Sequence, residues 1–332
     1  MKNFDEINVI YNVSSENQKM IDEIEKKLNV IKIGEKQQKT NLKTKSRVRS
    51  VYSSLAIEAN SLPLKSVENI AHNKIVLGNR KEIQEVKNAN ELYENINKYN
   101  FKSEIDFLNA HSLMMKYIDE DNGYYRNHGE GVKKGNKIIY RAPESTLVPS
   151  LMKSLFKFIN NNDDIHPLVL ASIFHYYFVY IHPFSDGNGR MARFWVSLIL
   201  TSWNSKFEYI PIEEELYLNQ EEYYSSIDKC HTNGNANIFI SFMLKCINNI
   251  LDKTTQETTQ ENYNLNDNQS KIVKLMQENP FVTRNELASI LNISVDGVKY
   301  NIAKLISLGI VKREGSTKAG KWLIVKNNDD KC

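Results

Sequence analysis

Apolar residues recur at helical spacing along most of the chain. Ile21, Ile24 and Leu28 mark one amphipathic stripe. Val48, Val51, Leu55 and Ala56 mark a second, and Leu151, Leu155, Phe156 and Ile159 a third. The run 167–181 differs, because Leu168, Leu170, Ile173, Phe174, Tyr177, Phe178 and Ile181 cover most of its faces. That pattern predicts a central, buried helix. Pro167 is tolerated in its first turn, and Asp163 or Asp164 is the expected cap. Residues 131–141 break the helical period. Gly135-Asn136 sits there between two short strand-like runs, which predicts a β-hairpin resting on the helical body.

Residues 252–267 are polar, repeat Thr-Thr-Gln-Glu and predict a linker. Beyond them the pattern resumes on a smaller scale. Ile272, Val273, Leu275 and Met276 give an amphipathic helix stopped by Pro280. Thr283 and Glu286 form a capping box for a second helix, and Ser294 caps a third that runs to Leu308. Residues 310–313 and 322–325 flank a glycine-bounded loop, the signature of a second hairpin. Three helices followed by a hairpin resemble a winged helix-turn-helix over 268–326. Lys299, Tyr300 and Lys304 would face outward on its recognition helix and Lys318 would lie on its wing, as candidate DNA contacts.

Charge sharpens that division. The 332 residues carry a net +3, but residues 268–325 hold nine Lys/Arg against four Asp/Glu, which is +5 and leaves −2 for the rest. An acidic partner is expected at the C-terminal end, either DNA or a protein. No apolar run is long enough for a membrane span, and the charged start lacks a signal-peptide core. Cys230, Cys246 and Cys332 are scattered and form no metal or disulfide pattern. A cytoplasmic protein without a membrane partner is the expectation.

Residues 181–193, Ile-His-Pro-Phe-Ser-Asp-Gly-Asn-Gly-Arg-Met-Ala-Arg, carry the chemistry. A buried helix ends at His182-Pro183, and Gly187-Asn188-Gly189 opens the next. The glycines permit positive φ, so backbone N–H groups converge at a helix N-terminus that favours an anion. Arg190 and Arg193 share a helix face behind that pocket. Asp186 is a hard oxygen ligand of the kind Mg²⁺ takes beside phosphates, and His182 titrates in the range a general base needs.

This stretch resembles the HxFx(D/E)GNGRxxR signature of the Fic family, with every specified position filled, and the resemblance extends over about residues 45–250. It implies an all-α Fic fold with a small β-hairpin flap, followed by the α+β winged helix. The implied divisions are an N-terminal helical region 1–100, a catalytic core 101–251 with a flap at 131–141, the linker and the winged helix. It also implies Mg²⁺-dependent transfer of AMP from ATP to a Ser, Thr or Tyr hydroxyl of a target protein, itself included. In that scheme His182 is the base, Asp186 the metal ligand, and Phe184 the loop anchor. Gly187, Asn188 and Gly189 form the anion hole, and Arg190 and Arg193 hold the outer phosphates. Tyr224 would lie near the adenine. The flap would bind the target backbone, with Ile139 and Tyr140 flanking the modified side chain.

Upstream, Ser54 and Glu58 are four residues apart on one helix face. They resemble the family's inhibitory (S/T)xxxE(G/N) helix, expected at about residues 46–60, in which Glu58 would pull Arg193 off the γ-phosphate. Ala59 stands where Gly or Asn is usual, and Asn60 is expected to take over the turn. The same glutamate implies an alternative, removal of AMP at the same site. A DNA-binding regulator with a nucleotide-sensing domain is another. The family resemblance also implies a homodimer.

Overall fold

A computed structural model describes residues 6–31, 36–134, 137–262, 265–315 and 320–324. The chain divides into two compact units. One comprises Met1–Ile31 and Lys39–Thr255, the other Lys32–Gln38 and Gln256–Cys332.

The first unit is helical apart from one hairpin. In chain order it contains α1 (Ser15–Val30), α2 (Lys36–Ile57), α3 (Leu64–Ala71), α4 (Arg80–Glu94) and α5 (Glu104–Met114). The strands β1 (Gly131–Lys134) and β2 (Lys137–Arg141) follow. Next come α6 (Val148–Asn161), α7 (Pro167–Ile181), α8 (Asn188–Trp203), α9 (Ile212–Leu218), α10 (Gln220–Asn233) and α11 (Asn237–Asn262). Helix α7 is the central element and packs against α6 and α8. Twelve of its fifteen residues are buried, as its all-round apolar sequence predicts. Phe107, Phe156, Phe174, Phe178, Phe184 and Trp195 mesh there, mostly edge-to-face, and all are buried. The N-cap of α7 is His166, whose Nδ1 accepts from the Leu168 amide, and not Asp163 or Asp164. Those carboxylates lie too far upstream, because the helix starts directly at Pro167.

The hairpin forms where expected, antiparallel, with Gly131 opposite Arg141 and a bulge between Val132 and Lys133. Its turn, Gly135-Asn136, lies outside the described residues. Tyr140 ties it to the helices: the hydroxyl donates to the Tyr180 carbonyl at 2.5 Å, and the ring stacks on His231 at 4.1 Å.

Helix α11 continues to Asn262, so the expected linker is helical over most of its length. Residues 252–262 contain no Gly or Pro, and although Thr is their commonest residue, Lys253, Gln256, Glu257, Gln260 and Glu261 favour continuing a helix already nucleated by its apolar part.

The second unit contains α12 (Asp267–Glu278), α13 (Arg284–Leu291), α14 (Val295–Ser307), β3 (Val311–Glu314) and β4 (Lys321–Ile324). Its core gathers Ile272, Val273, Met276, Leu287, Val298, Ile302, Leu305 and Trp322. Thr283 and Glu286 make the expected capping box and Ser294 caps α14. Helix α12 starts at Asp267, ahead of its apolar pattern, through a further capping box between Asn266 and Gln269. The strands pair antiparallel, Val311 opposite Ile324.

Candidate active site

The site is built where α7 ends and α8 begins. His182 is the C-cap of α7 and is left-handed, with φ 51°. Phe184 drives the following loop into the core, where its ring lies parallel to His111 at 3.5 Å and stacks on Phe107 at 5.5 Å. Asn188 closes the loop on itself: its Oδ1 accepts from the Phe184 amide and its Nδ2 donates to the Phe184 carbonyl. The Asn188 side chain is therefore a loop latch, and an anion would meet backbone N–H groups. No side chain caps α8. Its N-cap is Gly187 at φ 82°, a conformation only glycine adopts without strain. The open amide end of a long helix is suited to phosphate.

Both arginines are buried and held by carboxylates. Arg190 bonds Asp186 Oδ1 at 2.6 Å and Glu85 Oε1 at 3.3 Å. Burial pushes the Asp186 pKa up, but the Arg190 charge and bonds from Arg190 and the Gly187 amide outweigh it and hold the carboxyl below its usual range. Arg193 is 1% exposed. It donates to Ser54 Oγ at 2.9 Å, the Ser54 carbonyl at 2.9 Å and Glu58 Oε1 at 2.7 Å. Burial alone would lower its pKa; the neighbouring Glu58 charge outweighs that and raises it. Arg193 NH1 and Arg190 Nε are buried and find no hydrogen-bond partner among the described residues. Unclaimed cationic donors beside an open helix N-terminus fit a polyanion.

Glu58 does more than hold Arg193. A Cβ on Gly189 would lie 2.2 Å from Glu58 Oε1 and 3.0 Å from Arg193 NH1. The carboxylate thus rests against the first turn of α8, over the expected anion hole. Helix α2 ends there in a Schellman motif: Asn60 N–H bonds the Leu55 carbonyl and Ala59 N–H the Ala56 carbonyl. The left-handed residue is Ala59 itself, at φ 65°. Asn60 does not take over the turn. Its side chain instead bonds Glu85 Oε2 at 2.8 Å and the Glu82 carbonyl at 3.2 Å.

His182 is pushed below the ordinary histidine range by burial, partly offset by the Glu130 charge and a bond with the Val179 backbone. It is therefore neutral, and able to accept a proton, at neutral pH. Tyr224 is half-exposed and lies near Glu58 and Arg193, whereas Tyr223 is buried and hydrogen-bonded to His175 at 2.8 Å. Tyr140 turns toward the helical body, and the Ile139 side chain lies outside the described residues. Asp186 presents one carboxylate beside the anion site, as suits an ion held mainly by phosphates. Among the described residues no group of three or more potential metal ligands gathers.

Several contributors carry no sequence signal of their own. His111 accepts from the Gly123 amide at Nδ1, so Nε2 donates to the Asp186 carbonyl at 3.0 Å. Burial lowers its pKa to about 4. Buried Glu213 accepts from Ser50, Tyr93 and Ser197 and anchors α2 beside the site. Glu85 holds Arg190 from α4.

Residues 101–200 match the Fic/DOC family model, and 265–312 match a winged helix-turn-helix DNA-binding model. The chain carries a Fic domain. Among curated relatives, protein adenylyltransferase Fic of Nematostella vectensis is 27% identical over 73% of this chain and 57% of its own length. The protein of that name from Culex quinquefasciatus is 26% identical over 62% and 41%. The chain spans about half the length of these curated relatives. A crystal structure of a Fic family protein from Desulfovibrio desulfuricans G20 is 29% identical, with TM-score 0.71, over 96% of this chain and 98% of that one. A Fic domain-containing signaling protein from Bacteroides thetaiotaomicron shares the fold at 20% identity and TM-score 0.61, over 72% of this chain and 98% of that one.

In the second unit, α14 exposes Lys299, Tyr300 and Lys304. Lys299 pairs with Asp296 at 2.8 Å, and Lys321 with Glu314 at 3.1 Å. Lys318 lies outside the described residues. Among the described residues no helix is long and apolar enough to cross a membrane.

Proposed function

We propose that the chain transfers AMP from ATP to a Ser, Thr or Tyr hydroxyl of a protein, itself included, and that Glu58 holds this activity down. The observation that carries the reading is the Arg193–Glu58 pair pressed against Gly189, at a helix N-terminus beside a neutral histidine. The names of the curated relatives support the same reaction.

In this reading the triphosphate lies along the first turn of α8. The α8 amides take the α-phosphate oxygens, and Arg190 and Arg193 take the outer phosphates once Glu58 withdraws. The target strand lies along the hairpin. His182 removes the hydroxyl proton, the oxygen forms a bond to the α-phosphorus, and the bond to pyrophosphate breaks in line. Catalysis comes from positioning and from dipoles already aimed at the developing charge. Asp186 would hold Mg²⁺, which supplies charge neutralisation on the phosphates.

The test is label transfer from α-labelled ATP with Mg²⁺. Glu58→Gly should label itself or added protein faster than the unaltered chain, and His182→Ala in that background should abolish the label. No faster labelling by Glu58→Gly overturns the brake. Label independent of His182 overturns the mechanism. Loss of pre-attached label from wild type, abolished by Glu58→Gly, would favour the reverse reaction. The match of the second unit to DNA-binding winged helices supports a second role, recognition of duplex DNA through α14.

A further inference from the structure

The chain between α5 and β1 carries no motif, yet it holds the most heavily bonded side chain around His182. Arg126 is 3% exposed. Its Nε donates to the His182 carbonyl at 2.7 Å, NH1 to the His128 carbonyl at 2.6 Å, and NH2 to the Pro143 carbonyl at 2.6 Å. A longer bond from NH2 reaches the Ile181 carbonyl at 3.4 Å, and the Arg126 amide donates to the Pro183 carbonyl at 2.9 Å. Two residues on, His128 Nε2 lies 3.1 Å from Ser185 Oγ.

We propose that Arg126 is a positioning residue for the transfer reaction, which couples the target-binding hairpin to His182. The argument starts from the backbone. His182 sits in a left-handed conformation that a side-chain-bearing residue holds only when its surroundings enforce it. It also closes α7, whose last carbonyls have no partner within the helix. A guanidinium satisfies those carbonyls and complements the helix dipole at that end. Its planar fork reaches several carbonyls in fixed directions, which an ammonium does not. The imidazole direction follows the His182 backbone, so Arg126 sets where the base points. Pro143 closely follows β2, and the same guanidinium holds it. The hairpin base and the proton acceptor therefore share one clamp, and a strand docked on the hairpin is registered against the base through it.

This inference rests on His182 as the base, and its test separates the two. In the Glu58→Gly background, Arg126→Lys keeps the charge and loses the fork. We expect kcat for label transfer to fall about 100-fold, the cost of misplacing a catalytic group by about 1 Å. ATP affinity, measured by calorimetry, should not change. The His182 imidazole signals in histidine-labelled protein should shift, a readout independent of turnover. Arg126→Gln is measured alongside in case Arg126→Lys fails to fold. Unchanged kcat with unchanged His182 signals overturns the proposal. So does a parallel loss of ATP binding, or failure of both variants to fold, because Arg126 then serves the fold alone. If Glu58→Gly transfers nothing, the proposed reaction falls, and the imidazole signals still decide the role of Arg126.

Discussion

The Fic domain and the winged helix both present cations, and they use them in opposite ways. Arg190 and Arg193 are buried, each held by named carboxylates in fixed geometry. Lys299 and Lys321 are half-exposed and pair with acids on their own helix or hairpin. Breaking a pair whose cation is buried strands that charge and costs much, whereas an exposed pair contributes little. The larger unit has nearly balanced charge, yet its buried cations are fixed in place against the first turn of α8. The smaller unit carries the net positive charge, and its cations are free to exchange one partner for another.

That contrast can be broken at several points, the largest effect first. His182→Ala should reduce label transfer by about 100- to 10,000-fold in the Glu58→Gly background, the range for a lost general base. The acid limb of kcat/KM should lie below pH 6.5, because burial lowers the His182 pKa.

Stability should fall on acidification. The folded His111 pKa is about 4, below its unfolded value near 6.5. Its contribution is complete above pH 6.5 and is lost as pH falls toward 4, on the order of 3 kcal/mol. Buried His175 acts in the same direction. The midpoint of thermal unfolding, followed from pH 7 to 4, should fall less steeply in His111→Gln. Equal slopes would show that His111 takes up its proton elsewhere in the range.

Breaking the Arg193–Glu58 contact is the third point. Glu58→Gly should raise transfer by about 10- to 100-fold, matching about 1.5–3 kcal/mol for a hydrogen bond to a charged group. Ala59→Gly acts the other way. It removes the left-handed strain at φ 65° and should stabilise the fold by about 1 kcal/mol, raising the melting temperature by about 2–4 °C. Transfer should slow correspondingly, and a faster enzyme would show that the turn does not hold the brake.

The smallest effect belongs to the winged helix. Lys304→Ala should weaken duplex binding and reduce its salt slope by about 1. Lys299→Ala should do less, because Asp296 already takes part of its charge. A slope that ignores both would move recognition from α14 to a protein partner.

Helices α1, α2, α6, α7, α8 and α12–α14, both hairpins and the loop of residues 182–193 were legible because each depends on local pattern. Apolar period, capping residues and glycine placement act within a few residues of one another. One cap was not legible: His166 replaced the expected aspartates at α7, since a cap depends on the exact start of a helix. That the polar run after Leu251 is helical as far as Asn262 was not legible, because composition reports solvation, not backbone conformation. Residue roles that depend on distant partners were hidden. Arg126 bonds main-chain carbonyls, which every residue possesses, so nothing in its neighbourhood marks it. Glu85 and Glu213 resemble any helical surface glutamate until Arg190, Ser50, Tyr93 and Ser197 are brought against them.

By itself the sequence determined the chemistry available: a histidine, an acid, a glycine-opened helix and two arginines within twelve residues. It also placed Ser54 and Glu58 on one helix face, by helical period alone. Only the tertiary structure decided the state of those groups. It set α2 against α8, so that Glu58 covers the helix N-terminus across 131 residues of chain to Gly189. It desolvated His182 and His111, and it gave Arg126 the carbonyls it clamps. The reason is physical: reactive groups are local in sequence, but desolvation and charge pairing depend on what is packed against them.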